Sequence, residues 1–233
     1  MSVQADVGTL LTVLAHDLRN PLAALLTNVN FVRSSLEGHS RDLDGALIDA
    51  TLSCALLTQL VGNLDVLSVV LAEPAPLQRA LPLRELANEA VGRFAAAAAL
   101  TGLRVEVALE TPSPAVMADA VFVGRALDNL LANAMQYSLE AGAVTISSTH
   151  GADSAAIIIT DDGPIVPQAM REVVLTAEGQ LLAKSSSGGR YGRGLGLFCA
   201  AQAARVAGGE LAVGEHQGRA AFVLSLPRAP SAR

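Results

Sequence analysis

A chain of 233 residues with 51% hydrophobic and 16% charged positions can bury a sizeable core, which excludes a disordered segment. A net charge of −6 argues against nucleic acid or an anionic membrane surface as the main partner. Aromatic residues are 3% and Trp is absent, so Ala, Leu and Val must fill the core, which suits closely packed helices.

In chain order, residues 5–36 read as one amphipathic helix. Leu11, Leu14, Leu18, Leu25, Val29 and Val32 recur at three- and four-residue steps and form its apolar stripe. His16 falls off that stripe and is expected to face solvent. Asp17 follows it, Asn20 lies one turn on, and Pro21 comes next. Proline has no N–H for the carbonyl of Asp17, so the helix should kink or loosen beside the histidine. GHSRD, residues 38–42, is a turn. Leu43, Leu47, Ala50, Cys54, Leu57, Val61 and Leu64 then repeat as a heptad seam through a second helix over 43–72. The two helices form an antiparallel hairpin whose stripes are too wide for one partner. Two copies would close a four-helix bundle, so a homodimer is expected, against the alternative that the hairpin packs on its own chain.

EPAPLQRALP has three prolines and no period, which places a linker at 74–82 between a domain at 1–73 and another at 83–228. Beyond it the pattern predicts a helix over 83–100, a strand over 103–109, a short strand over 115–118 and a helix over 119–137 capped by Asp119. Strands at 144–149 and 155–160 pair around Gly151-Ala152-Asp153. Residues 162–193 are polar and irregular, apart from a short helix at 168–176. A helix over 195–207 and strands at 209–214 and 220–226 close the chain. This order predicts an α+β class: a helical hairpin, then an α/β sandwich with a mixed sheet and three helices on one face.

Three short stretches of the second domain can build a nucleotide site. Asn129 and Asn133 are four apart and share a helix face, whereas Leu127, Leu130 and Leu131 point to the core. Two amide oxygens facing outward suit a hydrated Mg²⁺. Asp161-Asp162-Gly163 follows an apolar strand; a carboxylate there can accept from the exocyclic amine of adenine, and Gly163 lets the backbone approach a flat base. Gly192-Arg193-Gly194-Leu195-Gly196 is a glycine loop opening a helix, whose first N–H groups favour phosphate.

Together with the box LAHDLRNPLAALL at residues 14–26, these stretches resemble a sensor histidine kinase core over nearly the whole chain. The resemblance implies a dimerisation and phosphoacceptor domain, then a catalytic ATP-binding domain of the superfamily shared with gyrase, Hsp90 and MutL. It makes His16 the phosphorylated residue and Asp17 the acidic neighbour that orients or deprotonates it. Asn20 takes the place of the residue that positions water when such an enzyme dephosphorylates its partner. Asn133 becomes the Mg²⁺ ligand, and Asn129 stands where the superfamily's ATPases carry a water-activating Glu. An amide cannot act as that base, which favours transfer to protein over hydrolysis. Asp161, with Gly163, reads adenine, while Gly192, Gly194 and Gly196 lie in the phosphate-proximal lid. The implied cofactors are ATP and Mg²⁺, and the implied partner is a response-regulator receiver domain.

Three positions depart from that pattern. Ile165 replaces the second Gly of Asp-x-Gly-x-Gly, Gln136 stands in place of a phosphate-touching Lys or Arg, and Val173-Val174-Leu175 replaces a Phe motif. They keep open a phosphotransfer adaptor with a degenerate nucleotide domain, or a non-enzymatic dimeric docking module. Cys54 and Cys199 show no metal or disulfide spacing and read as small buried apolar residues of a cytoplasmic protein. The opening MSVQADVG is not a signal peptide, and no window of about 18 apolar residues is charge-free, so no membrane span is expected. The chain is either a piece of a longer protein or a soluble kinase that takes its signal from a separate sensor protein. His39, His150 and His216 have no partner at ligand or triad spacing and are assigned no role.

Overall fold

The computed structural model describes residues 18, 20–32, 42–72, 77–138, 142–180 and 195–230. His16, Asp17, His39, Gly192 and Gly194 lie outside them. The chain divides into two compact units, Met1–Leu64 and Asp65–Arg233.

The described part of the first unit is helical. Helix α1, residues 20–32, runs through Pro21 with Asn20 exposed, and α2, Asp42–Ala72, continues into the second unit. Leu22, Leu26, Val29 and Phe31 on α1 are exposed, as are Leu56 and Val61 on α2. The expected seam of α2 is therefore not an interior within one chain: Ala50, Leu57 and Leu64 are half-buried while Cys54 and Val61 face out. Cys54 is accordingly exposed, contrary to the sequence reading, whereas Cys199 is buried as expected. Asp49–Val70 is, by length and composition, long and apolar enough to cross a bilayer, which the sequence reading did not anticipate. Its last turns carry Asp65, whose carboxylate accepts from Arg125 Nη2 at 3.0 Å within the second unit.

The second unit is an α+β sandwich. A five-stranded sheet runs in the order β2–β4–β5–β7–β6, with β2 Arg104–Ala108, β4 Ala143–His150, β5 Ser154–Asp161, β6 Glu210–His216 and β7 Arg219–Pro227. Only β2 and β4 are parallel; the other neighbours are antiparallel. The β6–β7 hairpin turns through Gln217 and Gly218, both at positive φ, as a tight two-residue connection requires. A small second sheet pairs β1, Arg79–Pro82, with β3, Ala115–Ala118. The strand β1 lies in the stretch read as linker: its prolines hid a four-residue strand too short to show a period.

One face of the large sheet carries Val144, Ile146, Ile157, Ile159, Phe222, Leu224 and Val213 in register, and all are buried. Three helices supply the rest of that core: α3 Leu83–Thr101, α4 Ala120–Tyr137 and α5 Gly196–Val206. Helix α3 ends at Gly102, whose φ of 68° is the left-handed conformation that satisfies the last carbonyls, here through Leu103 N to Ala98 O at 3.1 Å. Asp119 caps α4 as expected, accepting from Val121 N at 3.0 Å, and also accepts from Leu77 N at 2.9 Å. Ala200, Ala203 and Ala204 on α5 are fully buried and let α5 approach α4 closely. The expected helix at 168–176 is instead two short 3₁₀ turns, Gln168–Met170 and Val173–Leu175.

Gly209 enters β6 against the β7 backbone. A Cβ there would stand 2.2 Å from the carbonyl oxygen of Ser225 and 2.7 Å from Leu226 Cδ2. Backbone cannot yield as a flexible side chain can, so Gly209→Ala should cost about 1–3 kcal/mol. A urea unfolding midpoint at the wild-type value would refute this.

Candidate functional site

Helix α4 sets the site. Its buried face is Val123, Ala126, Leu127, Leu130, Leu131 and Ala134, so Asn129 and Asn133 fall at the edge of that face. The expected pair of outward amides is only half observed. Asn129 is 2% exposed and its Nδ2 donates back to the carbonyl of Arg125 at 2.9 Å, so its amide is engaged with its own helix. Asn133 is partly buried, and its Nδ2 is buried with no hydrogen-bond partner among the described residues. A buried donor without a partner is costly. A half-turn of the amide exchanges nitrogen for oxygen at no steric cost and offers Mg²⁺ its preferred ligand type.

Asp161 ends β5 and lies in register with Val144 and Ala220, on the helix-facing side of the sheet. It is 0% exposed, and its Oδ1 accepts from Gly163 N at 2.8 Å, which closes a tight turn after the strand. A buried carboxylate at the end of an apolar strand is a poor structural choice and a good acceptor for a ligand amine. Helix α4, which carries the asparagines, packs on both β5, the strand ending in Asp161, and α5.

Helix α5 starts with Leu195 as its N-cap, an apolar side chain that cannot cap the first turn. Its leading N–H groups therefore keep their capacity for an anion. Among the expected site residues, the fold thus brings Asn129, Asn133, Asp161, Gly163 and Gly196 into the second unit. Asn20 is on α1 in the first unit.

The departures from the kinase pattern are also placed. Ile165 is 37% exposed, with Val166 behind it in the core, so its side chain stands at the surface. Gln136 is exposed, Val174 is fully buried and Val173 is exposed. Two polar arrangements escaped the sequence reading. Arg93 on α3 binds Asp128 Oδ1 through Nε at 2.8 Å and Nη2 at 2.7 Å. Burial pushes the Asp128 carboxyl above its ordinary range, opposed by the Arg93 hydrogen bond and by the charges of Arg93 and Arg125. His150 Nδ1 lies 2.6 Å from Glu110 Oε2, a partner 40 positions away that only strand register brings close. The pairing of β4 and β5 that ends at His150 was visible in the sequence; the loop carrying Glu110 was not.

Residues 118–230 match the family described as histidine kinase-, DNA gyrase B-, and HSP90-like ATPase. The chain is 26% identical over 195 residues to the adaptive-response sensory kinase SasA of Synechocystis sp., covering 81% of this chain and 51% of that one. It is 29% identical over 231 residues to the sensor histidine kinase GtrS of Pseudomonas aeruginosa, covering 95% and 42%. The chain thus spans about half or less of the length of these curated relatives. Full-length ShkA, crystallised in complex with AMPPNP, shares the fold with a TM-score of 0.63 at 21% identity, over 97% of this chain and 47% of that one. These similarities agree: the chain carries a catalytic, ATP-binding core of the sensor histidine kinase kind.

Proposed function

We propose that the chain is an ATP-dependent protein histidine kinase that phosphorylates itself on His16 and passes the phosphoryl group to an Asp of a response-regulator receiver domain. The observation that carries this reading is Asp161, buried at the end of β5 on the helix-facing side of the sheet, with α4 and its Asn133 packed on that strand. In this reading residues 1–73 are the dimerisation and phosphoacceptor domain and 83–228 the catalytic domain. Asp161 and Gly163 hold adenine, Asn133 holds Mg²⁺ with Asn129 beside it, and Gly192, Gly194 and Gly196 line the phosphates. Mg²⁺, when bound, neutralises charge on the phosphates.

The chemistry is positioning and charge neutralisation. A ring nitrogen of neutral His16 attacks the γ-phosphorus, the new N–P bond forms as the bond to the β–γ bridging oxygen breaks, and ADP leaves. The imidazole proton goes to Asp17. The phosphoramidate then gives its phosphoryl group to a receiver aspartate, and Asn20, exposed on α1, positions the water that hydrolyses the receiver's aspartyl phosphate when the same enzyme dephosphorylates its partner. The exposed Leu22, Leu26, Val29, Phe31, Leu56 and Val61 support a homodimer through a four-helix bundle, since a second copy would bury them. In this reading the chain acts in the cytoplasm, where its two free cysteines stay reduced.

The second reading is a phosphotransfer adaptor that receives phosphate through His16 from another protein. Gln136 favours it: an exposed amide stands where a cation would meet phosphate. Incubation of the purified chain with labelled MgATP, beside His16→Ala, separates the two. The kinase reading expects acid-labile label on the wild type and none on the variant. A folded wild type without label sinks it, and transfer from a phosphorylated receiver domain then identifies the adaptor.

A further inference from the structure

The turn that carries Asp161 is clamped from the opposite side of the sheet. Asp162, the next residue, uses one carboxylate oxygen to accept from the backbone N–H of Ala143 at 2.8 Å, while the other lies 2.9 Å from Arg219 Nε as an ion pair whose N–H is not directed at it. Arg219 Nη2 donates to the carbonyl of the same Ala143 at 2.5 Å. Its Nη1 donates to Thr145 Oγ1 at 3.0 Å and Thr160 Oγ1 at 3.2 Å, a cross-strand pair of β4 and β5. One guanidinium thus ties the start of β4, the end of β5 and the start of β7. Thr145 and Thr160 alternate with Val144 and Asp161 along their strands, so this network lies on the face away from the helices. Arg219 itself is 28% exposed and Asp162 34%.

A flexible turn after a strand is a weak mount for a group that must meet a ligand atom at hydrogen-bond distance. Gly163 adds freedom there. The planar fork of Arg219 removes it, because its donors act together on fixed partners, which a lysine cannot reproduce. We infer that Asp162 and Arg219 are positioning residues that hold Asp161 on the exocyclic amine of the bound purine, and so set adenine selectivity from the far side of the sheet. This rests on the nucleotide reading of the Asp161 site.

The test compares MgADP with magnesium purine-riboside diphosphate, which lacks the exocyclic amine, by calorimetric titration of the whole chain. Wild type is expected to prefer MgADP. Arg219→Ala should lose about tenfold in MgADP affinity while keeping its affinity for the amine-free analogue, so the preference collapses. Arg219→Lys, which keeps the charge and guards against loss of fold, should behave like Arg219→Ala, and Asp162→Asn should fall between them and wild type. Equal weakening toward both ligands, or none, overturns the inference and leaves the nucleotide site standing. A wild type that binds neither diphosphate instead removes the nucleotide reading beneath it.

Discussion

Asp161→Asn is expected to weaken MgADP binding by roughly 100-fold, about 3 kcal/mol, and to abolish labelling of His16 while the protein stays folded. The wild-type carboxylate has only acceptors. One oxygen takes the Gly163 N–H, and a carboxylate oxygen has more than one lone pair with which to accept from a ligand amine. Asparagine keeps one oxygen for Gly163 and turns an NH₂ toward the ligand. Two donors then face each other, a charge-assisted bond is lost and the amine is left dry. The same NH₂ suits a 6-oxo purine, so the variant should gain on MgIDP relative to MgADP. The fold should survive because the change removes a buried negative charge, keeps the side-chain volume and retains the turn. Titration with both diphosphates reads this directly; an Asp161→Asn protein that binds MgADP as tightly as wild type would falsify the adenine-reading role.

This outcome also shows what a linear reading can and cannot reach. Asp161 was legible because an apolar run that stops at a carboxylate needs a reason. The helices were legible wherever one face stayed apolar over several turns and a cap stood at the end, as with Asp119 on α4 and Gly102 after α3. The polar network of Arg219 was not. Its partners Ala143, Thr145, Thr160 and Asp162 sit 57 to 76 positions away and are joined only by register across three strands. Nothing local distinguishes Arg219 from any other residue that follows a hairpin glycine. Asn129 shows another limit. Its spacing to Asn133 was read correctly as one helix face, but spacing does not say whether the edge of that face is dry, and Asn129 is. Cys54 and Val61 show the same limit in reverse: the heptad marked an apolar seam, and a seam needs a partner before it is an interior.

Phe222→Ala should cost about 3–5 kcal/mol of folding stability, a third or more of what a domain of ordinary stability holds. Phe222 is 0% exposed and leads the fully buried side chains in size. On β7 it lies between Ile159 of β5 and Val213 of β6, in the row next to Asp161. A chain with 3% aromatic residues has few large side chains to spare, and the buried positions of α5 include the short Ala200, Ala201, Ala203 and Ala204. Alanines cannot swing into a gap, and the sheet is held by paired strands on both sides of β7, so the cavity left by the ring should persist rather than collapse. Phe222→Leu keeps most of the volume and should cost less than about 1.5 kcal/mol. Urea unfolding measures both, with an unchanged slope expected because the surface exposed on unfolding is nearly the same. A loss under about 1 kcal/mol for Phe222→Ala at constant slope means that α4 and α5 close onto the sheet when the ring is removed. In that case MgADP affinity should fall as well, since α4 packs on β5, the strand that ends in Asp161, and itself carries Asn133. A rigid cavity instead leaves the affinity of the folded fraction at its wild-type value, so the two measurements together say whether the helical layer is a fixed wall of the site or one that can move.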